Sequence, residues 1–177
     1  MIKNVRIPIP RIAVLIGKNG ATRKNIENSC DVKLKIYKIG GNVEIEGEAL
    51  GVVIAEVIVT AIARGFSPEK ANLLHDENRT LAILNISDDK RELKRIKSRL
   101  IGTGGKSRRN MERLTGTYIS VYGKTVSIIG PHENVDKLQS GLEKLIKGTS
   151  HRFVYQHLER VFSKMRKREK KREKNGR

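Results

Sequence analysis

The sequence predicts an α+β protein built from two copies of a βααββα unit, each a three-stranded antiparallel sheet with helices on one face, followed by a C-terminal helix. Three observations carry this. Two glycine turns, Gly17-Lys18-Asn19-Gly20 and Gly102-Thr103-Gly104-Gly105, are each entered through Ile-Gly (Ile16-Gly17, Ile101-Gly102) and left through a basic run. The chain also matches itself at an offset of 85 residues, with Gly17 on Gly102, Gly20 on Gly105, Arg23 on Arg108, Lys24 on Arg109, Asn25 on Asn110 and Glu27 on Glu112. The strand behind each turn keeps its alternation, Leu34 meeting Ile119 and Ile36 meeting Val121. Gly47 then meets Gly130 at an offset of 83, because the first hairpin is slightly longer. The chain is a duplication: residues 1–74 form a first unit with a short extra helix, 79–149 a second, and 150–177 a helix and basic tail.

In the first unit Val5-Arg6-Ile7 alternates and reads as a strand ended by Pro8 and Pro10. Ile12 to Ile16 is a short apolar helix that delivers the first turn. Ala21 to Ser29 is the helix behind it, with Arg23 and Lys24 near its start. Val32, Leu34 and Ile36 alternate with Lys33 and Lys35, a half-buried strand with a basic outer face. Gly40-Gly41-Asn42 turns the chain into a strand over Val43 to Ile45, ended by Gly47.

Ala49 to Ala63 is apolar on nearly every face and rich in β-branched residues, so local propensity alone also allows strand. Its place in the repeat makes it a helix. The counterpart in the second unit keeps Val135, Leu138, Leu142, Leu145 and Ile146 on one stripe. The first copy's helix is therefore expected to be covered on two sides, by its own sheet and by the other unit. Ser67 as cap and Pro68 at the first helical position open a short helix ending near Leu74. His75-Asp76-Glu77-Asn78 reads as a solvated linker.

The second unit opens with a strand over Leu81 to Ile86, closed by Ser87-Asp88-Asp89. Lys90 to Leu100 is a strongly basic helix (Lys90, Arg91, Lys94, Arg95, Lys97, Arg99), and Lys106, Arg108 and Arg109 follow the second turn. Thr117 to Val121 and Thr125 to Ile129 make a hairpin turned at Gly123. Ser150 caps a last helix holding Phe153, Leu158 and Val161. From Lys164 to Arg177 the chain carries nine basic and two acidic residues, a solvated tail or a weak RNA contact.

Composition narrows the partners. The formal charge of +18 and the pI near 10.3 favour a polyanion, nucleic acid before a membrane surface. Cys30 is the only cysteine, so there is no disulfide framework and no thiolate metal site; before a strand it reads as a small core residue. MIKNVRIPIP lacks an apolar core of signal-peptide length, and Ala49 to Ala63, interrupted by Gly51, Glu56 and Thr60, falls short of a membrane span. A reducing, cytoplasmic compartment is expected.

Each glycine turn sits between two helices, where glycine allows an unusual φ and a close backbone approach. The second helix points free N–H groups and its positive dipole end at the loop, which suits a phosphate. A βααββα unit with Ile-Gly-x-x-Gly between its first helices resembles the type I KH domain. That resemblance implies two tandem KH domains, each with a loop clamping the backbone of about four single-stranded nucleotides. The bases then lie on an aliphatic platform, for which Ile16, Ile26 and Leu34, and Ile101, Met111 and Ile119, are the candidates. The RNA-binding residues it implies are Ile16, Gly17, Lys18, Asn19, Gly20, Arg23, Lys24 and Leu34 in one unit. In the other they are Ile101, Gly102, Thr103, Gly104, Gly105, Lys106, Arg108, Arg109 and Ile119.

One detail narrows the family. KH domains usually carry an aliphatic residue three positions after the second glycine, where both copies here have arginine, Arg23 and Arg108. The second copy's Gly-x-Gly-Gly-Lys-x-basic-x-x-Met-Glu, followed by the hairpin and Ile-Gly, is similar to the KH-domain ribosome-assembly factors called partner of Nob, in an archaeal form. Gly148-Thr149-Ser150-His151 leading into Val154-Tyr155 resembles the same family, and the likeness spans residues 1–163. The sequence departs from eukaryotic members in lacking a long N-terminal extension and in keeping an intact glycine turn in the first copy. The resemblance implies binding near the 3′ end of small-subunit ribosomal RNA, assistance in its processing, a Nob-type endonuclease as protein partner and no cofactor.

Other classes fit less well. Gly105-Lys106-Ser107 imitates the end of a P-loop, but that motif needs glycine where Leu100 stands. The four histidines, His75, His132, His151 and His157, make no metal spacing, and no nucleophile–base pair stands out, so an enzyme is not expected. Aromatics are 4% of the chain with no Trp, against a module that stacks bases on rings. The alternative retained is a KH-type RNA-binding subunit of another RNA-processing or translation complex.

Overall fold

A computed structural model describes residues 1–175 of the chain. Its contacts divide into two compact units, Met1–Leu81 and Ala82–Arg177. The first runs β1 (Ile2–Arg6), α1 (Ile9–Ile16), α2 (Ala21–Cys30), β2 (Val32–Tyr37), β3 (Asn42–Gly47), α3 (Ala49–Ala63) and α4 (Pro68–Ala71). The second runs β4 (Arg79–Asn85), α5 (Lys90–Ile101), α6 (Lys106–Thr115), β5 (Tyr118–Tyr122), β6 (Thr125–Pro131), α7 (His132–Ile146) and α8 (His151–Asn175). Both sheets place the last strand in the middle, β1-β3-β2 and β4-β6-β5, so β2 and β5 are edge strands. No helix among the described residues is long and apolar enough to cross a membrane.

In the first unit β3 pairs antiparallel with both neighbours, Val43 opposite Val5 and Ile36, Ile45 opposite Lys3 and Leu34. The alternation buries Val32, Leu34, Val43 and Ile45 against the helices. On the other face Lys35 donates to Glu44 (2.7 Å) and Glu46 (3.1 Å), which hold its ammonium above its ordinary range. The basic outer face expected of this strand is thus largely neutralised by its neighbour strand. Pro8 and Pro10 do more than end β1. Pro8 caps α1 and Pro10 sits in its first turn, where a missing N–H costs nothing, so the helix starts at Ile9 rather than Ile12.

Helix α3 is helical despite its β-branched residues. Tertiary burial overrides propensity, with Val52, Ala55, Ile58, Val59 and Ile62 all enclosed. The sheet, α1 and α2 cover one side. Within the same unit a second cover comes from α4 and the 3₁₀ turn Asn72–His75, which bring Phe66, Ala71 and Leu74 into the core. The cover that sequence reasoning assigns to the other unit is in this part local. Ser67 caps α4 through Lys70 N–H, as its position predicts. Arg11 Nε donates to the Ile62 carbonyl at 2.8 Å and its Nη2 to Phe66, fixing α1 to the end of α3. His75, placed by the sequence in a solvated linker, is exposed and in addition lies 3.0 Å from Ser29 Oγ at the end of α2. Beside it, Cys30 is buried, which pushes its thiol pKa up.

The second unit encloses Leu84, Ile86, Ile96, Leu100, Met111, Ile119, Val126, Ile128, Val135, Leu138, Leu142 and Leu145. Helix α5 is capped by Asp89, whose Oδ1 accepts Glu92 N–H at 2.7 Å. Helix α8 adds Val154, Leu158, Phe162 and Met165 to this core, packing on α6 and α7. Phe153 is 55% exposed, because the buried stripe of the helix begins one residue later, at Val154. The helix runs through the basic segment to Asn175, so this part of the expected tail is helical; residues 176–177 of it lie outside the described residues.

The contact between α2 and α3 is tight. An added Cβ at Gly51 would collide with the Cys30 carbonyl oxygen. The second unit solves the same position differently, with Asn134 Nδ2 donating to the Thr115 carbonyl at 2.9 Å. Gly51→Ala is expected to lower stability by about 1–3 kcal/mol, the cost of overpacking. Leu50→Ala, one residue away and exposed, should stay within about 0.5 kcal/mol. Urea denaturation followed by circular dichroism compares the two, and equal midpoints would refute the close packing.

Candidate nucleic-acid interface

The two glycine turns have the same backbone. Gly17 sits at φ 72°, ψ 177° and Gly102 at 70°, 173°, a region essentially reserved for glycine. Asn19 (52°, 28°) corresponds to Gly104 (58°, 23°), and Gly20 and Gly105 share 76°, 13°. The first glycine of each turn closes the preceding helix, Gly17 N–H donating to Ala13 O and Gly102 N–H to Ser98 O, both at 2.9 Å. A Cβ there would strike Thr22 or Ser107. Lys18, Asn19, Thr103 and Gly104 are exposed at the tips. Neither α2 nor α6 has a side chain capping its first turn, so the N–H groups behind each turn keep their capacity for an anion.

The basic residues lie where the sequence predicts. Lys24, Lys106 and Arg109 are exposed beside the turns. Arg23 is hydrogen-bonded to a glutamate one helical turn on, its Nε 3.3 Å from Glu27 Oε2, whereas Arg108 Nε faces Glu112 Oε2 at 3.9 Å, an ion pair without a hydrogen bond. The aliphatic platform is smaller than expected. Ile26 and Met111 are fully buried and Leu34 and Ile119 are each 2% exposed, so these side chains belong to the cores. Ile16 and Ile101 alone of the six keep side-chain surface. Leu34 and Ile119 lie on the edge strands β2 and β5. In the second unit a cavity of about 610 Å³ opens along α5 onto the turn, lined by Lys90, Leu93, Lys94, Lys97, Ile101 and Thr103. Lys97 Nζ reaches the Gly123 carbonyl at 3.1 Å, tying α5 to the β5–β6 turn.

Sequence reasoning passes over two groups that build this site. Glu27 and Glu112 each accept an edge-strand N–H, Leu34 and Ile119 respectively, at 2.8 Å. Their alignment in the repeat is the signal that finds them. Helix α8 is the second group. His151 Nε2 bonds the Arg99 carbonyl at 2.7 Å and Tyr155 Oη lies 2.8 Å from Ser107 Oγ. One helix thereby grips both helices that flank the second turn. Among the described residues no group of three His, Cys, Asp or Glu side chains is placed to hold a metal.

A helix–glycine turn–helix on a β-β-α sheet of this order is the architecture of a KH protein. A family model described as a eukaryotic type KH domain (type I), for the second KH domain of PNO1, matches residues 79–163. KH domain-containing protein MJ0443 of Methanocaldococcus jannaschii is 42% identical over 174 residues, covering 94% of this chain and 76% of that protein. APE0754 of Aeropyrum pernix, a protein of unknown function, superposes with a TM-score of 0.93 at 31% identity, covering 100% and 98% of the two chains. A crystal structure from Pyrococcus horikoshii of a complex of a/eIF2alpha, aDim2p and rRNA contains a chain 41% identical, with a TM-score of 0.87 and coverage of 93% and 95%. The chain belongs to the PNO1/Dim2 family of KH-domain proteins.

Gly102→Ala should lower the melting temperature clearly, since it adds strain of about 1–3 kcal/mol in a glycine-only region and a clash with Ser107. Gly104→Asn should melt near wild type, because the site is open and Asn19 already takes that conformation in the other copy. A reversed order in thermal melts would contradict the turn geometry.

Proposed function

We propose that this chain is a single-stranded RNA-binding protein of small ribosomal subunit assembly, in which both units are KH domains and both glycine turns clamp RNA phosphates. The observation that carries the reading is the matching backbone of the two turns, Gly17/Asn19/Gly20 against Gly102/Gly104/Gly105, with exposed tips and uncapped helix N-termini behind them. A strained conformation repeated in both copies argues for a role that both retain. The net charge of +18 supplies the long-range attraction, and the RNA-bound Pyrococcus relative supports the ligand class.

The family resemblance supports a site near the 3′ end of small-subunit ribosomal RNA, with a Nob-type endonuclease as the protein that cuts it. This chain binds and presents RNA and contributes no catalytic group, and it works in the cytoplasm. A second reading, an RNA-binding subunit of a translation complex, is favoured by the a/eIF2alpha component of the relative's complex. RNA crosslinked in cells and sequenced separates the two, by ribosomal precursor or by mature initiation complexes.

Replacing Lys18 and Asn19, or Thr103 and Gly104, with aspartates should weaken RNA binding without moving the melting temperature, because the tips are exposed and their conformations suit Asp. Two clamps of about four nucleotides neutralise roughly six to eight phosphates, giving a slope of log affinity on log salt of about −4 to −6. Met165 is buried, so the tail is best removed after it. Deleting residues 166–177 should flatten the slope and keep the ranking of RNA sequences. Normal binding by both double-aspartate proteins would sink the clamp reading.

A further inference from the structure

Between each turn and the edge strand behind it the two units carry the same three-part arrangement. A carboxylate, Glu27 or Glu112, accepts the N–H of Leu34 or Ile119 at 2.8 Å through Oε1. The same carboxylate faces the arginine one turn earlier, at 3.3 Å from Arg23 Nε and 3.9 Å from Arg108 Nε. The acids are mostly covered, with side chains 17% and 16% exposed, whereas the arginines open to solvent at 46% and 39%. A lone pair at this spacing would be an ordinary surface ion pair that holds little. Here the strand N–H fixes the carboxylate at 2.8 Å, so the acid is held on the arginine's side of the helix in both units. Each guanidinium turns its Nε edge toward the acid, hydrogen-bonded in Arg23 and only facing it in Arg108, whose buried Nε has no hydrogen-bond partner; among the described residues no Nη of either makes a further bond.

We propose that Arg23 and Arg108 read the O6/N7 edge of a guanine, and that Glu27 and Glu112 are positioning residues that aim them; this rests on the reading of the turns as RNA clamps. Three features select a base over a phosphate. The arginine charge is already offset by its carboxylate, which weakens it as a phosphate contact but leaves its planar pair of donors intact. The arginines are the third residues of α2 and α6, and the carboxylates that face them, each accepting a strand N–H, draw them to the side of the helix that reaches the strand. Among the bases guanine offers two adjacent acceptors that match two parallel N–H donors. The arginines also stand where KH domains usually carry an aliphatic residue, so they add a polar reader to a site otherwise short of one.

The test uses the full chain and a panel of single strands scanned with one guanosine, each remade with inosine, 7-deazaguanosine or adenosine at that position. At the preferred position inosine, which keeps O6 and N7, should bind as guanosine does. The other two should bind roughly 5- to 150-fold more weakly. Arg23→Gln and Arg108→Gln together should abolish this discrimination while leaving the salt slope unchanged. Arg→Lys at both positions keeps the charge and should lose the discrimination equally. Glu27→Gln with Glu112→Gln, which retains an acceptor for the strand N–H, should reduce it. A salt slope that falls by about 0.7 per arginine with base ranking intact would make them phosphate contacts and overturn the proposal. Wild-type protein that binds strands but ranks 7-deazaguanosine with guanosine also overturns it and leaves the clamps standing. Failure to bind any single strand overturns both.

Discussion

A glycine at φ near +70° with an extended ψ, packed bare against a residue five positions on, fixes the angle between the helices in both units. Everything at the site follows from that angle. It ends α1 and α5 abruptly, turns the chain through a single 3₁₀ step and starts α2 and α6 with their N–H groups facing outward. It also sets α2 and α6 at the height from which a glutamate two turns along reaches the edge strand. Any side chain at Gly17 or Gly102 would force the two helices apart and lose the turn and the strand contact together.

The units share this device and differ in how they support it. The first encloses its third helix with a short local segment, α4 and the turn after it, and fastens α1 through Arg11. The second has a polar, single-striped α7 and uses the long α8 instead, tied to both flanks of the turn by His151 and Tyr155. Charge divides likewise. Helix α1 carries one basic residue, Arg11, committed to backbone carbonyls, while α5 presents lysines along the cavity that opens on its turn. The two turns are thus alike in geometry and unlike in surroundings.

Much of this was legible in the sequence because duplication doubles the signal. The turns, the basic residues behind them and the order of elements followed from one self-comparison, and Ser67-Pro68 announced α4 by capping chemistry alone. What escaped was tertiary. The alternation already put Leu34 and Ile119 on the apolar, inward face, but how completely the helices cover them, leaving no platform surface, is set by packing that the pattern does not contain. Along α8 the apolar residues Phe153, Val154, Leu158 and Val161 do not by themselves fix the phase of the buried stripe, which packing sets on Val154 and Leu158. Glu27 and Glu112 were aligned in the repeat, yet their use as strand acceptors depends on a distance between helix and sheet that spacing does not contain. The contact of the exposed His75 with Ser29 is invisible to local reading because Ser29 lies far back in the chain.

The tethering of α8 has a consequence for synthesis. The first glycine turn and every contact described for its unit are complete once the chain has been made through Leu81. The second turn lacks its grip until His151 and Tyr155 have emerged, and its core until Met165 has. Units of a chain generally fold as they are made, N-terminal first. A nascent copy therefore passes through an interval in which one turn is finished and the other is still loose, and it matures with a fixed order of competence built into its own length.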